Sequence, residues 1–454
     1  MTQLQAALNY FNAHQSEFMQ RYLSFLRIPS VSTDANRRTD MGQACDFLAA
    51  YLNRLGIKEV RRFETPLHPI LYAWHPSRIA NAPTLLVYGH YDVQPADPLD
   101  EWSSDPFEPV QHGEYLYARG AADMKGGIMA ILSALESALA SGDLGVNIKL
   151  LFEGEEEIGS PSLEDFIREK TEMLACDMIL NPDAIMMGET MPTLVYGLRG
   201  LLYFELRVDG PKADLHSGVF GGNVANPAHV LADLIAKLHH PDGSVAAPGF
   251  YDKVLHLSED DHRQINAPGA IDETLLNNSG VAQLFGEPEF TALERMGARP
   301  TLDVNGLYSG FIGEGAKTII PAYAKAKISC RLVPHQDPDE VFAQIQGYLE
   351  GFLPPYARMT LSKIGTGLPY LAQDAPGAQN LVQAFEDTWK KPAVLKREGG
   401  SAPVTTLMQQ ILGVKTLLTG FILPDSAVHS PNERQHLPTW SLGTQALIRF
   451  FLSF

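Results

Sequence analysis

The sequence predicts an α/β fold with a mostly parallel mixed sheet and a second, α+β domain inserted near its middle. Three observations predict it. Up to about residue 199, short apolar runs alternate with helical patterns, the grammar of strand–helix–strand units. From about 200 to 365 the strands alternate apolar and polar residues, as half-exposed antiparallel strands do. After 365 the first grammar returns. A chain of 454 residues has room for two or three ordinary domains. Residues 1–199 and 366–454 are therefore assigned to one domain and 200–365 to the insert.

The elements follow in order. Leu4, Leu8, Phe11, Phe18, Tyr22, Phe25 and Leu26 recur at helical spacing and are closed by Pro29. A second helix runs through Cys45, Leu48, Tyr51 and Leu55 and stops at Gly56. Apolar runs at 84–88, 148–152 and 178–180 predict buried strands, with a helix over 127–140 between the first two. The Pro- and Asp-rich stretch 95–109 predicts a long loop, of the kind that borders active sites. In the insert, 203–208 alternates, a helix follows over 227–239, and a longer strand buries Ala324, Ala326, Ile328, Cys330 and Leu332 on one face. Its other face is Lys325, Lys327, Ser329 and Arg331, and a helix over 337–352 follows. The chain ends with a helix over 378–389, a strand over 414–419 and a last helix from 439.

Composition bounds the function. A formal net charge of −18 argues against nucleic acid or an anionic membrane as partner, since both demand a basic surface. No apolar stretch is long enough for a membrane span, and the N-terminus reads as an amphipathic helix, not a signal peptide. Cys45, Cys176 and Cys330 are odd in number and widely spaced, so they read as buried small hydrophobes in a reducing compartment, the cytoplasm.

Five polar clusters follow apparent strands or open a helix. His90 and Asp92, two apart after the first strand, point to one side, where they can ligate a metal, or Asp92 can orient His90; a plain turn is the alternative. Asp123 lies between Gly120 and Gly126, just before a helix, where a negative charge is stabilised; simple N-capping would look the same. Glu155, Glu156 and Glu157 follow a strand with no lysine or arginine in the run, so a divalent cation or a solvated turn must offset their repulsion. Asn181-Pro182-Asp183 and 425–433, with His429, complete the set. On one parallel sheet they converge on one edge, giving histidines and carboxylates without thiolates, a donor set for zinc, cobalt or manganese. No nucleophile elbow, Walker loop or dinucleotide fingerprint follows a strand.

Together Gly-His-Tyr-Asp-Val at 89–93, Gly-Ala-Ala-Asp-Met-Lys-Gly-Gly at 120–127, Glu-Gly-Glu-Glu-Glu-Ile-Gly-Ser at 153–160, Asp-Leu-His-Ser-Gly at 214–218 and His-Ser-Pro-Asn-Glu at 429–433 resemble the M20 metallopeptidase family. The whole run looks most like its dipeptidase and carnosinase-like branch. The resemblance implies a zinc-peptidase-like catalytic domain and a ferredoxin-like lid that also forms a homodimer. It implies two divalent ions, zinc with cobalt or manganese as alternatives. His90 and Asp183 would hold one ion, Glu157 and His429 the other, and Asp123 would bridge them. Glu156 would be the general base and Asp92 would orient His90. A cis peptide is implied at Asp123–Met124.

In the insert, the resemblance aligns His216 with a histidine that reaches the neighbouring subunit's active site. Thr318, Arg331 and the loop Gly399-Gly400-Ser401 resemble the branch's substrate-binding segments. The chain departs from some members at 365–368, where Gly-Thr-Gly-Leu stands in place of a histidine-bearing segment. The expected activity is hydrolysis of dipeptides or similar short peptides with a free C-terminal carboxylate, by a water activated at the dinuclear site. An N-acyl-amino-acid deacylase on the same scaffold is the alternative. A non-catalytic binding protein would have lost a ligand or the base, and neither is missing.

Overall fold

The computed structural model describes residues 1–400 and 402–454. The chain forms two compact units, one of Met1–Tyr196, Ala372–Leu395 and Leu407–Phe454, the other of Gly197–Leu371 and Lys396–Thr406. Residues 396–406 thus group with the insert.

The sheet of the first unit runs in the order Glu59–Phe63, Ile70–His75, Asn147–Glu153, Thr84–His90, Met178–Asn181, Thr416–Thr419, Thr193–Leu198. Its four middle strands are parallel, and antiparallel pairs finish both edges. The middle strands are buried along nearly their whole length, which explains their continuous apolar runs. Helix Lys125–Ser141 is buried from Lys125 to Ala138, packed among helices Gln3–Ala13, Gln15–Leu26 and Leu437–Phe451. Gly126 opens that helix where a Cβ would collide with the Ala121 carbonyl and the Tyr22 hydroxyl, which hydrogen-bond to each other. Only glycine lets this helix start so close to the loop before it.

The second unit has the element order Gly200–Asp209, Pro227–Ala236, Thr301–Ser309, Tyr323–Leu332, Pro338–Glu350, Arg358–Gly367, a β-α-β-β-α-β succession. Its sheet order, third strand between second and first and the fourth beyond the first, is all antiparallel and ferredoxin-like. Burial alternates residue by residue in Gly200–Asp209 and Tyr323–Leu332. The inward face carries Leu202, Phe204, Leu206, Val208, Ala326, Ile328 and Cys330, and both helices pack on it through Leu231, Leu234, Val341 and Ile345. Asp337 caps the second helix, accepting from the Asp339 and Glu340 amides.

Two features differ from the sequence expectation. Helices Glu259–Asn266, Asp272–Ser279 and Ala292–Gly297 occupy a stretch where none was expected, and capping boxes at Ser258 and Thr291 start the first and third. Their shared core is small, Ile265, Leu293 and Ala298, so the apolar periodicity is weak. Cys45 and Cys330 are buried, but Cys176 is only partly so. Among the described residues no helix is long and apolar enough to cross a membrane.

Candidate metal centre

The first unit brings His90, Asp123, Glu157, Asp183 and His429 together. His90 ends the Thr84–His90 strand and lies opposite Glu153 in the parallel ladder. Asp183 follows Met178–Asn181, and Glu157 lies in the 3-10 turn Glu156–Ile158 just past the Asn147–Glu153 strand. Asp123 precedes the Lys125–Ser141 helix, and His429 lies in the loop after Thr416–Thr419. His90, Glu157, Asp183 and His429 thus follow the carboxyl ends of parallel strands, where open α/β sheets bind ligands, and Asp123 joins them from a helix start.

Asp123 sits between the two histidines, one oxygen on each. Its Oδ1 lies 3.1 Å from His90 Nε2 and its Oδ2 2.9 Å from His429 Nε2. Asp183 Oδ2 flanks His90 Nε2 at 3.6 Å, and Glu157 Oε2 flanks His429 Nε2 at 3.3 Å. Donor atoms of His90, Asp123 and Glu157 all lie within 4.8 Å of one another. The edge of a tetrahedron with zinc bonds of 2.0–2.1 Å is about 3.3 Å, so these spacings fit donors around divalent ions.

The glutamate run does not act as one cluster. Glu155 is buried and turned away, accepting from Thr65 Oγ1 at 2.8 Å and from the His68 and Ser162 amides at 2.9 Å each. Those donors offset its charge, so the repulsion that asked for a cation concerns Glu156 and Glu157. No hydrogen bond from a described residue reaches the Glu156 carboxylate. Asp92 is fully buried; its carboxylate lies 3.3 Å from His90 Nδ1 and accepts the Glu157 amide at 3.0 Å. It touches two members of the cluster at once.

Five carboxylates (Asp92, Asp123, Glu156, Glu157 and Asp183) surround two imidazoles. Hydrogen bonds to Asp123 and Glu157 push His429 up to about 10. Burial alone would lower His90, but its bonds to Asp123, Asp183 and Asp92 outweigh that and raise it. Burial would raise Asp123, yet the two histidines hold it below the usual carboxylate range. Asp183 is pushed up by burial and then by Asp123. Glu156 is pushed up by burial, and the Asp183, Glu157 and Asp123 charges add to this against the pull of His90. Even two protonated histidines leave excess negative charge, which divalent cations would offset.

Residues 86–453 match the profile described as peptidase family M20/M25/M40. The chain belongs to this family. It is 33% identical over 450 residues to the Cys-Gly metallodipeptidase dug1 of Schizosaccharomyces pombe, covering 94% of each chain. Among solved structures, human carnosine dipeptidase 1 superposes with a TM-score of 0.79 at 29% identity, over 100% of this chain and 98% of that one. The M20 family metallo-carboxypeptidase Sso-CP2 of Sulfolobus solfataricus superposes at 0.81 and 32% identity, over 96% and 98%. The protein is thus an M20-type metallopeptidase, and membership implies divalent metal ions, which the donor set fits.

One backbone feature of this M20 peptidase corrects the sequence expectation. Asp123–Met124 is trans; the cis peptide among the described residues is Asp97–Pro98.

The remaining expected site residues belong to the second unit. His216 is exposed, and its Nδ1 accepts the Gly218 amide at 3.0 Å, which leaves the proton on Nε2 as an outward donor. Leu215–His216 pairs with Ile319–Ile320, which brings Thr318 alongside. Arg331 lies near the end of Tyr323–Leu332, opposite Leu201. Gly399 and Gly400 follow the strand Val394–Glu398, and Ser401 lies outside the described residues.

Two residues escaped sequence reasoning. Arg199 donates to the Gly399 carbonyl at 3.0 Å; burial and then the Arg331 charge lower its guanidinium to about 10. Its signal was available, a lone charge inside the apolar run 193–204. Gln94 donates to Glu157 Oε2 at 2.7 Å and carries no signal in the sequence.

Proposed function

We propose that this M20 peptidase hydrolyses dipeptides or similar short peptides with a free C-terminal carboxylate, using two divalent ions, zinc in the first instance. The observation that carries the proposal is Asp123, with one oxygen on each histidine and a second carboxylate beside each. His90 and Asp183 would hold one ion, Glu157 and His429 the other, and Asp123 both. When bound, such ions polarise a carbonyl and acidify a water. Glu156 takes the proton from the attacking water and returns it to the leaving amine, a role suited to a carboxylate raised by burial. Asp92 keeps the His90 ring and the Glu157 backbone in place. His216 donates from Nε2 to the developing oxyanion. Arg331, Thr318 and the Gly399-Gly400-Ser401 loop bind the substrate, with Arg331 on its carboxylate.

The proposal includes a homodimer through the insert, whose edge strands Thr301–Ser309 and Arg358–Gly367 leave unpaired backbone groups. It also includes the cytoplasm, which suits three free cysteines. The curated relatives named for Cys-Gly and, in Homo sapiens, for Beta-Ala-His support a dipeptide substrate. The test is a hydrolysis screen of dipeptides, their C-terminal amides and N-acyl amino acids, with zinc, cobalt and manganese in turn. Dipeptides should turn over fastest. Faster turnover of N-acyl amino acids would instead assign the deacylase activity.

A further inference from the structure

Glu433 is fully buried, and the chemistry above gives it no role. Its Oε2 accepts from Arg119 Nη1 at 2.7 Å and from the Gly120 amide at 2.9 Å. Its Oε1 accepts from the Ala122 amide at 2.8 Å and the Asp123 amide at 3.0 Å. Its backbone carbonyl accepts the Ala118 amide at 3.1 Å. All five donors belong to the segment that delivers Asp123, and that segment turns at Gly120 with φ +82°.

On its own side Glu433 closes the loop that carries His429. Ala427, His429 and Asn432 there adopt φ of +53°, +62° and +61°, a region side chains disfavour and enter only where the surroundings enforce it. Asn432 supplies part of that enforcement, accepting the Ser103 amide and donating to the Glu101 carbonyl, both at 2.8 Å. Bonds within the loop, such as the Ser430 amide to the Ala427 carbonyl and the Arg434 amide to the Ser426 carbonyl, add to it. Glu433 supplies the link outward, because its four side-chain bonds tie the His429 loop to the Asp123 loop.

We propose that Glu433 is a positioning residue that sets the aim of Asp123 relative to His429, and so decides whether Asp123 can serve two ions at once. This rests on the two-ion function proposed above. A carboxylate suits the task because it only accepts, and each oxygen can take two N–H groups. A carboxamide cannot replace it, since its NH2 would face two donors.

The test titrates cobalt(II) into metal-free wild type, Glu433→Gln and Glu433→Asp, reading the visible absorption of the bound ion and the stoichiometry. Far-UV circular dichroism of the metal-free chains serves as the folding control. Wild type should take two equivalents. Both variants should keep one and bind the second about 10–100-fold more weakly, with an altered spectrum, the usual effect of removing a partner that orients metal ligands. Should Glu433→Gln fail to fold, Glu433→Asp decides alone, because it keeps the charge opposite Arg119 but cannot span both oxygens' donors. Two equivalents with wild-type affinity and spectrum in a folded variant would overturn the proposal. So would loss of fold in both variants, which would make Glu433 a folding determinant. A wild type that saturates at one equivalent would overturn the two-ion function, and this proposal with it.

Discussion

Glu156 and Glu157 are neighbours in one short turn, yet only Glu157 touches a histidine of the cluster. Their substitutions should therefore separate. Glu156→Gln should cut turnover by about 10²–10⁴-fold, the usual contribution of a general base, with metal content unchanged. Glu157→Gln should instead lower metal content at a given free-ion concentration. Metal analysis beside kcat distinguishes them, and reversed phenotypes would shift the assigned register by one residue. Arg331→Ala should cost about 3–5 kcal/mol in transition-state binding for a dipeptide, if its carboxylate partner is buried with it. The C-terminal amide of the same dipeptide should lose far less; equal losses would make Arg331 structural. Much of this cluster was legible as motifs, because each ligand segment sits just after a strand or before a helix. That Glu155 stands apart from the run was not legible, since its donors Thr65 and His68 come from a distant loop that adjacency in sequence cannot reveal. Gln94 was invisible for the same reason.

Helix Lys125–Ser141 is apolar almost throughout, and its one glutamate shows how neighbouring helices are fastened to it. Glu136 accepts from Arg21 at 3.0 Å, Tyr51 at 2.8 Å, Arg54 at 2.7 Å and Tyr10 at 3.3 Å, so three other helices meet on one carboxylate. Burial would raise its pKa, but the Arg54 and Tyr51 bonds and the Arg21 charge outweigh burial and hold it low. A depressed carboxyl contributes stability above its unfolded pKa, near 4.3, and loses it as pH falls through the folded value. Glu136→Gln should thus destabilise by about 1–3 kcal/mol at pH 7, and the gap from wild type should close as the pH drops below about 4. Thermal melts across that range check it; a gap independent of pH would mean packing, not charge, is at stake. The parallel strands and this helix were legible because total burial leaves an unbroken apolar run. The 259–297 helices were not, because a three-residue core imprints almost no period.

For the whole molecule, the proposed dimer makes a prediction no single chain can. Mixing inactive Glu156→Gln and His216→Ala chains under subunit exchange should restore about a quarter of wild-type activity. Half the dimers are then mixed, and one of their two sites is whole. Exchange without recovery would place His216 in its own chain's site or outside catalysis. The path of the chain has a separate consequence, for how the protein folds. Strand Thr416–Thr419 must pair in parallel with Met178–Asn181, across everything between them, and such long-range pairing is slow. The insert shortens that search. Its first and last strands both pair within it, and Gly197 and Leu198 lie opposite Leu371 and Tyr370. Once it has collapsed, its two exits are side by side and the remaining loop behaves as a far shorter one, each halving sparing about 0.6 kcal/mol of closure entropy. A preformed insert should thus speed assembly of the parallel sheet, and the pairing of Asp123 with His429, 306 residues apart, should follow it.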